Sequence, residues 1–274
     1  MILYPNAKVN IGLNIINKRV DGYHDIETLF YPIKGLYDIL EIVEVEGEQN
    51  RIEFSQSGNS TGCSNEHNLC VKAYNLMMEA ESIPAVKMHL HKQIPIGAGL
   101  GGGSADGAFA IKGLNQLLGN KIDDVQLHEL ALKVGSDCPF FLYNTPMLAC
   151  GRGEKLEVVT LALAGYWLLL VNPGIHVSTG SAYAKTNPEP WIPRLRERIA
   201  QQITGWRGSV RNDFEKTVFT DYPEIEVVKQ QLYDLGAIYA SMSGSGSTVY
   251  GLFASKPDIK NEFKNMYLHV EELQ

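Results

Sequence analysis

The sequence predicts an α+β fold built from two domains, and two observations support this. Segments with strand periodicity and segments with helix periodicity are interspersed through the first half of the 274 residues. In the second half, a strand, a helix and a hairpin follow one another. A chain of this length can form one large domain or two ordinary ones. We therefore expect domains at 1–155 and 156–274, while a single large domain or a shared sheet would give a similar pattern.

The strands of the first half are predicted from alternating apolar and polar residues. The segments with this pattern are 8–15, 37–46 and 86–94. Alternation is typical of a strand with one buried face, since successive side chains point to opposite sides. In the first segment Lys8 and Asn10 would share the polar face.

The helices of the first half are predicted from apolar residues at helical spacing. They lie within 65–82, 104–119 and 123–135. Ser104 is a plausible N-cap for the second of these helices, and Gly119 is a natural residue to end it.

In the second half, apolar runs bounded by turn residues predict a strand at 166–171 and a hairpin. The hairpin has two strands, 237–242 and 247–253, around a glycine-serine turn. Apolar spacing also predicts a terminal helix over 259–270.

A further helix is predicted between Asp221 and Gly236. Asp221 and Glu224 form a D-x-x-E capping pattern, and Pro223 falls in the first turn. Gly236 would end the helix.

The composition excludes several classes of protein. The formal net charge is −7 and the sequence pI is about 5.5, whereas nucleic-acid-binding domains usually carry a basic stripe. The longest apolar run, Leu161–Val171, is too short to cross a bilayer. We therefore expect neither a nucleic-acid partner nor a membrane span.

The cysteine pattern indicates a reducing compartment. Cys63, Cys70, Cys138 and Cys150 form no C-x-x-C pair, and four thiols in a chain of this length do not make a disulfide framework. We expect reduced thiols and a cytoplasmic protein.

The segment PIGAGLGGGSADGA, residues 95–108, contains six glycines, and so much bare backbone needs a physical reason. Gly97, Gly99 and Gly102 satisfy the dinucleotide pattern G-x-G-x-x-G, but the strand before them alternates, unlike a buried parallel strand. A Walker A loop is excluded, because the next lysine is Lys112, in mid-helix. A nicotinamide-dependent oxidoreductase is thus the weaker alternative.

The remaining interpretation is an anion site. Successive glycine N–H groups form a concavity for anions, and a helix that begins behind them adds its positive end. The Ser104 hydroxyl could contact a phosphate or its magnesium ion. A purely structural turn with a glycine-packed helix is the alternative.

Three segments in order along the chain resemble one family. PIGAGLGGGSADGA resembles the phosphate loop of the GHMP kinases, which include galactokinase, homoserine kinase and mevalonate kinase. PNAKVNIGLNI resembles their N-terminal strand, and SMSGSGSTVYGLF resembles their C-terminal glycine-rich motif. The resemblance implies a ribosomal S5 domain 2-like N-terminal domain that binds ATP and carries catalysis. It also implies a ferredoxin-like C-terminal domain that binds substrate.

Two further segments narrow the resemblance. RVDGYHDIETLF and GSDCPFF resemble the members that act on a cytidine diphosphate-linked methylerythritol. The resemblance implies ATP-dependent phosphorylation of the 2-hydroxyl of that small molecule, in non-mevalonate isoprenoid precursor biosynthesis. It implies Mg²⁺ that arrives with ATP and no preformed metal site, in a monomer or weak homodimer. Other kinases of the family, and a nucleotide-binding regulator without catalysis, are the rivals.

The resemblance assigns catalysis to two residues. It implies that Asp137 accepts the proton of the substrate hydroxyl and that Lys8 pairs with Asp137 and lowers its pKa. Without the resemblance, Asp137 would be an ordinary N-cap and Lys8 a solvated charge. Asn10 shares the face of Lys8 and should contact substrate.

The substrate and nucleotide residues follow from the same resemblance. The substrate-binding residues are Asn10, Tyr23, His24, Thr179 and Tyr183, with Tyr183 standing where a phenylalanine is usual. The ATP-binding residues are Asn68, Leu69, Lys92, Pro95, Gly97, Gly99, Leu100, Gly101, Gly102, Gly103 and Ser104. Residues 243–247 are expected to close over the substrate. Asn212 and Asp213 match a family segment, but the sequence suggests no physical role for them.

Overall fold

The structure is a computed structural model that describes residues 1–46, 51–59, 65–189 and 194–274. The chain forms two compact units, each assembled from separate segments. The first unit consists of 1–7, 32–96 and 101–145, and the second of 8–31, 97–100 and 146–274.

Helices and strands are mixed along the described chain, so the α+β prediction is confirmed. The strands are β1 (Ile2–Leu3), β2 (Asn6–Lys18), β3 (His24–Tyr37), β4 (Ile39–Glu44), β5 (Ile52–Gly58), β6 (Val86–Lys92), β7 (Met147–Gly151), β8 (Lys155–Val158), β9 (Trp167–Asn172), β10 (Tyr239–Met242), β11 (Val249–Phe253) and β12 (Tyr267–Glu272). The α-helices are α1 (Leu69–Ala80), α2 (Gly102–Leu117), α3 (Asp124–Val134), α4 (Cys138–Tyr143), α5 (Thr179–Lys185), α6 (Leu195–Ile199), α7 (Phe214–Asp221) and α8 (Pro223–Asp234). Short 3-10 turns occupy Asn65–His67 and Ile203–Gly205.

The first unit packs helices against one face of the sheet β1-β4-β6-β5. The pairing is antiparallel except between β5 and β6, which run parallel. Leu40 and Ile42 are fully buried on β4, with exposed Glu41 between them, as the alternation predicts. A Cβ on Gly113 of α2 would lie 2.6 Å from Ile42 Cδ1, so glycine lets this helix lie close to the sheet.

The second unit contains the sheets β2-β3-β7-β8 and β10-β11-β9-β12. All pairs in the latter are antiparallel. Numbered from β9, its order is 2-3-1-4, which is the order of a ferredoxin-like sheet. Its core joins β9 to α7 and α8 through side chains that are almost completely buried. They are Leu169, Val171, Val218, Ile225, Val228 and Leu232.

The compact units do not follow the expected boundary at 155/156. Leu13, Ile15 and Ile26 lie in the same core cluster as Leu169 and Val171, so the N-terminal strands belong with the second unit. The division passes through β2 after Ala7 and through β3 before Pro32. The domains predicted along the sequence, 1–155 and 156–274, stay a prediction beside these two compact units.

Several predicted ends are confirmed. Asp123 caps α3 by accepting the Gln126 N–H at 2.9 Å. Gly119 has a φ of +70° just after α2, and Gly236 has a φ of +95° just after α8. Pro223 is the first residue of α8. The hairpin of β10 and β11 is also present.

Three local predictions are wrong. Helix α2 begins at Gly102, so Ser104 lies inside its first turn and does not cap it. Asp221 ends α7 and pairs with Lys185 at 2.5 Å, leaving Tyr222 as the N-cap of α8. The residues 259–270 form turns followed by β12, because pairing with β9 outweighs the helical apolar spacing.

Within the described ranges, no helix is both long enough and apolar enough to cross a membrane. Cys70, Cys138 and Cys150 are free thiols. Cys63 lies outside the described residues.

Candidate active site

The polar face of β2, in the second unit, is enclosed. Ten consecutive residues, 6–15, are buried, whereas the alternation predicts only one buried face. Lys8 is 3% exposed, and its ammonium hydrogen-bonds Asn10 Oδ1. The Nζ atom also lies 4.9 Å from the centre of the Phe30 ring. Because a buried ammonium is costly unless it is compensated, Lys8 is not an ordinary surface lysine.

Asn10 is held in one orientation by its neighbours. Its Nδ2 donates to Thr28 Oγ1 at 3.0 Å, and its backbone N–H donates to Ser243 Oγ at 3.2 Å. The Tyr250 hydroxyl donates to the Asn10 carbonyl at 2.9 Å. The predicted substrate contact is therefore rigid and next to Lys8.

Part of the glycine segment belongs to the same unit. The Lys8 N–H donates to the Leu100 carbonyl at 2.9 Å, and the Thr248 N–H donates to the Ala98 carbonyl at 3.3 Å. Gly99 has a φ of +76°, and a Cβ there would lie 2.0 Å from the Ser243 carbonyl oxygen. This backbone contact gives the physical reason for glycine at position 99.

In the first unit, the segment leads into α2 through Gly101. Gly101 is the N-cap, has a φ of 71°, and has no side chain to occupy the first N–H groups of the helix. Those N–H groups and the positive helix end suit an anion. Gly103 is exposed and Ser104 half-buried at this helix end. The predicted phosphate site thus retains its open donors.

The N-terminus of α4 adjoins this helix end. The Ser104 hydroxyl hydrogen-bonds the Cys138 thiol, and burial together with the charge of Asp137 raises the pKa of Cys138 to about 12. Asp137 is the N-cap of α4 but makes no capping hydrogen bond, and Pro139 lies in the first turn. The structure therefore brings a predicted phosphate-loop residue and the predicted base into one neighbourhood of the first unit.

Lys92 forms ion pairs with two carboxylates. Its Nζ donates to Asp38 and, at 2.7 Å, to Asp106, and all three side chains are buried. Burial raises the pKa of Asp106 well above its usual range. Burial lowers the Lys92 pKa, but the charges of Asp106 and Asp38 outweigh this and raise it. The structure thus pairs Lys92 with two carboxylates, and its predicted contact with ATP stays a prediction.

The Asp38–Lys92–Asp106 triad contacts the backbone just before the glycine segment, residues 95–108, and the start of α2. Asp38 also accepts the N–H groups of Gln93 at 2.6 Å and Ile94 at 2.9 Å, just ahead of Pro95. A Cβ on Gly102 would lie 3.2 Å from Lys92 Nζ. The triad therefore ties the end of β6 to the start of α2.

Two of the predicted ATP-binding residues, Asn68 and Leu69, lie at the start of α1. Asn68 accepts the Cys70 N–H at 2.9 Å and so caps the helix. A Cβ on Gly107 of α2 would lie 3.2 Å from Leu69 Cβ. Leu69 is thus beside the first turns of α2, while Asn68 has a structural task that the sequence did not indicate.

Two predicted substrate-binding residues, His24 and Tyr183, contact each other in the second unit. The rings of His24 and Tyr183 stack, with centroids 4.9 Å apart and planes 16° apart. Tyr183 also packs edge-on against Phe214, at 4.8 Å. Tyr23 is 56% exposed, with the Arg152 guanidinium 4.9 Å from its ring centre. Burial, followed by the charge of Lys18, lowers the pKa of His24.

Thr179 lies at the start of α5, where its hydroxyl is 2.9 Å from that of Ser245. It thereby joins α5 to the turn between β10 and β11. This contact links a predicted substrate residue to the segment expected to close over the substrate.

Lys8 belongs to the second unit and Asp137 to the first, so their pairing stays a prediction. The sequence did not reveal that Asp38 contacts Lys92 or that Arg152 contacts Tyr23, whereas Ser243 falls in the segment expected to close over the substrate. Among the described residues, no group of three or more His, Cys, Asp or Glu side chains could hold a metal ion.

Two family models match parts of this chain. The family model described as GHMP kinases N terminal domain matches residues 68–145, and that described as GHMP kinases C terminal matches 195–269.

Curated relatives match along the full length. The 4-diphosphocytidyl-2-C-methyl-D-erythritol kinase of Bacteroides fragilis is 46% identical, covering 100% of both chains. The protein of the same name from Parabacteroides distasonis is 46% identical, covering 96% of this chain and 95% of its own. A solved crystal structure of 4-(cytidine 5'-diphospho)-2C-methyl-D-erythritol kinase has a TM-score of 0.77 and 33% identity, covering 92% of this chain and 90% of that one.

Proposed function

This chain belongs to the GHMP kinases, and we propose that it transfers the γ-phosphoryl group of ATP to the 2-hydroxyl of 4-diphosphocytidyl-2-C-methyl-D-erythritol. The observation that carries this proposal is the 46% identity to relatives of that name along the full length. The reaction serves non-mevalonate isoprenoid precursor biosynthesis in the cytoplasm. The free thiols of the described cysteines are consistent with that compartment.

The acceptor is recognised at its cytidine end by aromatic residues. Tyr23, which is exposed, offers a ring face on which a base can stack, and base–aromatic stacking contributes about 1–3 kcal/mol per base. Tyr183, which stacks on His24, supports the aromatic contact from the other side of that ring. His24, whose lowered pKa keeps it neutral at pH 7, hydrogen-bonds the polar edge of the base. Asn10 and Thr179 contact the remainder of the substrate.

The donor nucleotide is held at the glycine segment. The uncapped N–H groups at the start of α2 suit the triphosphate, since they are open donors at the positive end of a helix. The Ser104 hydroxyl contacts a phosphate or the metal ion bound to it in this proposal. Mg²⁺ neutralises part of the phosphate charge and arrives with ATP, in keeping with its preference for water and phosphate ligands.

The chemical step needs an aligned hydroxyl and a place for its proton. The 2-hydroxyl oxygen forms a bond to the γ-phosphorus while the bond from that phosphorus to the β,γ-bridging oxygen breaks, and ADP leaves. Asp137 accepts the hydroxyl proton, as the resemblance to the GHMP kinases implies. Lys8, which is buried and hydrogen-bonded to Asn10, helps to orient the substrate hydroxyl.

The test is a panel of acceptors with the purified chain, ATP and Mg²⁺, in which ADP release is measured. We expect release only with 4-diphosphocytidyl-2-C-methyl-D-erythritol, and background rates with homoserine, mevalonate and free methylerythritol. Turnover of homoserine or mevalonate in preference to the cytidyl compound would assign the chain to another acceptor. A change in nicotinamide absorbance would instead favour an oxidoreductase.

A further inference from the structure

A short segment ahead of α7 runs alongside β2 in the second unit. The Leu13 N–H donates to the Arg211 carbonyl at 2.9 Å, and the Asp213 N–H donates to the Leu13 carbonyl at 2.8 Å. The Asp213 carboxylate accepts the Ile15 N–H at 2.8 Å. These bonds fix the segment to the strand that carries Lys8.

Asn212 lies in the middle of that segment, and its side-chain amide makes hydrogen bonds through both the nitrogen and the oxygen. It is 2% exposed, and its Nδ2 donates to the carbonyls of Met242 and Gly244, both at 2.8 Å. Its Oδ1 accepts the Phe214 N–H at 3.0 Å. Both acceptors of the amide protons lie in the turn formed by residues 242–246, the glycine-serine turn.

The glycine-serine turn rests directly on Gly99. The Ser243 hydroxyl donates to the Gly99 carbonyl at 2.7 Å. A Cβ on Gly244 would lie 3.2 Å from Gly99 Cα, so no side chain separates the two backbones. Because packed backbones cannot absorb a shift, displacement of the turn must displace Gly99.

We propose that Asn212 is a positioning residue for phosphoryl transfer, which fixes the Gly99 backbone of the phosphate loop through the glycine-serine turn. The inference rests on the proposed function. Its chain of contacts runs from β2 to Asn212, then to the turn, and then to Gly99, all within the second unit. This gives Asn212 a task that the sequence pattern did not suggest.

The chemistry of the contact explains why an amide stands at this position. Alanine would remove the Asn212 donor from the carbonyls of Met242 and Gly244, leaving Met242 the longer bond from the Ser241 hydroxyl at 3.3 Å, and aspartate would face both carbonyls with an acceptor. We expect Asn212→Ala to raise the Kd of a non-hydrolysable ATP analogue, and the KM for ATP, by about tenfold. The KM for the cytidyl substrate should change less than about twofold, because the turn acts on the phosphate loop.

Asn115→Ala is the matched control. Asn115 is 4% exposed and also makes a pair of bonds, donating to the Ile122 carbonyl and accepting the Ile122 N–H, both at 3.0 Å. It lies near the far end of α2 from Gly102. A merely structural role would lower the melting temperature in both variants and leave the nucleotide Kd of both unchanged.

The wild-type chain is measured first, by calorimetric binding of the analogue and by turnover. Absence of both would remove the proposed function. If wild type binds and turns over while Asn212→Ala binds the analogue as tightly as Asn115→Ala does, the positioning role is overturned and the proposed function stands.

Two further variants keep the test decisive if Asn212→Ala does not fold. Asn212→Ser retains one donor and should raise the Kd by a smaller factor. Ser243→Ala removes the hydroxyl that reaches Gly99 and should weaken analogue binding severalfold. In the double variant the Kd of the analogue should rise by less than the product of the two separate factors, because both changes act through one contact. Independent effects, or an unchanged Kd in both, would contradict the inference.

Discussion

Asp137 occupies the N-cap of α4 without performing the usual task of that position. An N-cap aspartate normally accepts a backbone N–H from the first turn, and Asp137 makes no such bond. The structure therefore does not show the capping bond that the sequence alone would assign to this side chain. The role of Asp137 as the base stays a proposal.

Replacing Asp137 by asparagine should lower kcat by at least about a hundredfold, the usual contribution of a positioned general base. The Kd for a non-hydrolysable ATP analogue should stay within about twofold, because the amide keeps the shape of the carboxylate. Turnover and binding are measured on the same preparation. Asp124→Asn, at an exposed first-turn position of α3, is the control and should retain full turnover. Retention of more than about a tenth of kcat in Asp137→Asn would remove the base assignment.

His24 predicts a pH dependence of substrate affinity. Burial lowers its pKa below the ordinary 6.5, so the folded site favours the neutral imidazole. The contribution of that neutral form is complete above pH 6.5 and is lost as the pH falls through the lowered pKa. The KM for the cytidyl substrate should therefore be constant from about pH 8 to 6.5 and rise below it, while the KM for ATP should not follow.

His24→Asn is the control for this profile, because asparagine can hydrogen-bond a base but does not titrate in this range. The rise in KM at low pH should disappear in the variant. A rise in KM at low pH that persists in His24→Asn would mean that another group titrates and that His24 does not bind the base.

The residue types of the site could be read from the sequence, but their surroundings could not. Periodicity placed Lys8 and Asn10 on one face of a strand, and the structure confirms this strand. That the face is buried depends on Thr28 and Phe30 of β3, whose pairing with β2 leaves no local signal. Asp38 reaches Lys92 across 54 positions of sequence, and no pattern announces such a pair.

The glycine segment, residues 95–108, is the element on which the proposed phosphate site depends. Replacing Gly99 by alanine should raise the analogue Kd by at least about tenfold, since the new Cβ would lie 2.0 Å from the Ser243 carbonyl oxygen. Gly119→Ala is a matched control: it has a similar φ, +70°, and nothing lies within 4 Å of its Cβ. The control should cost only about 1 kcal/mol of stability, from the left-handed backbone. Equal analogue Kd values for the two variants would show that Gly99 is not part of a nucleotide site.

The buried triad beneath this segment stabilises the fold. Lys92→Met should lower the free energy of unfolding by about 3–5 kcal/mol, because it leaves Asp38 and Asp106 buried without their cation. Urea unfolding measures this cost.

Lys87→Met is the control on the same strand. Lys87 forms an exposed pair with Glu53 at 3.1 Å and should cost less than about 0.5 kcal/mol. Unfolding free energies of the two variants that differ by less than about 1 kcal/mol would mean that the triad contributes no more than a surface pair.

Element types were predicted well where local signals acted alone. The caps at Asp123 and Gly119 and the proline of α8 depend only on neighbouring residues, and the structure retains them. The terminal segment 259–270 has helical apolar spacing, but its last residues pair with β9, a contact nearly a hundred positions away. The start of α2 was misplaced because Gly101, which has no side chain, takes the cap that Ser104 was expected to provide.

At the scale of the whole molecule, order along the chain and packing in space differ. The two family-model segments lie on either side of position 155, which explains why a boundary there was plausible. The chain nevertheless returns its N-terminal strands to the second unit, where Leu13 and Ile15 fill the core. Such a return requires long-range strand pairing, which a reading of local patterns cannot supply.

The proposed reaction moves the phosphoryl group to one particular hydroxyl, and ³¹P NMR of the reaction products shows where it goes. Wild-type chain, ATP, Mg²⁺ and 4-diphosphocytidyl-2-C-methyl-D-erythritol should give one equivalent of ADP for each new phosphomonoester. Carbon–phosphorus coupling should place that phosphomonoester on the 2-hydroxyl. ADP formed without a new phosphomonoester, or a phosphomonoester at another hydroxyl, would contradict the account.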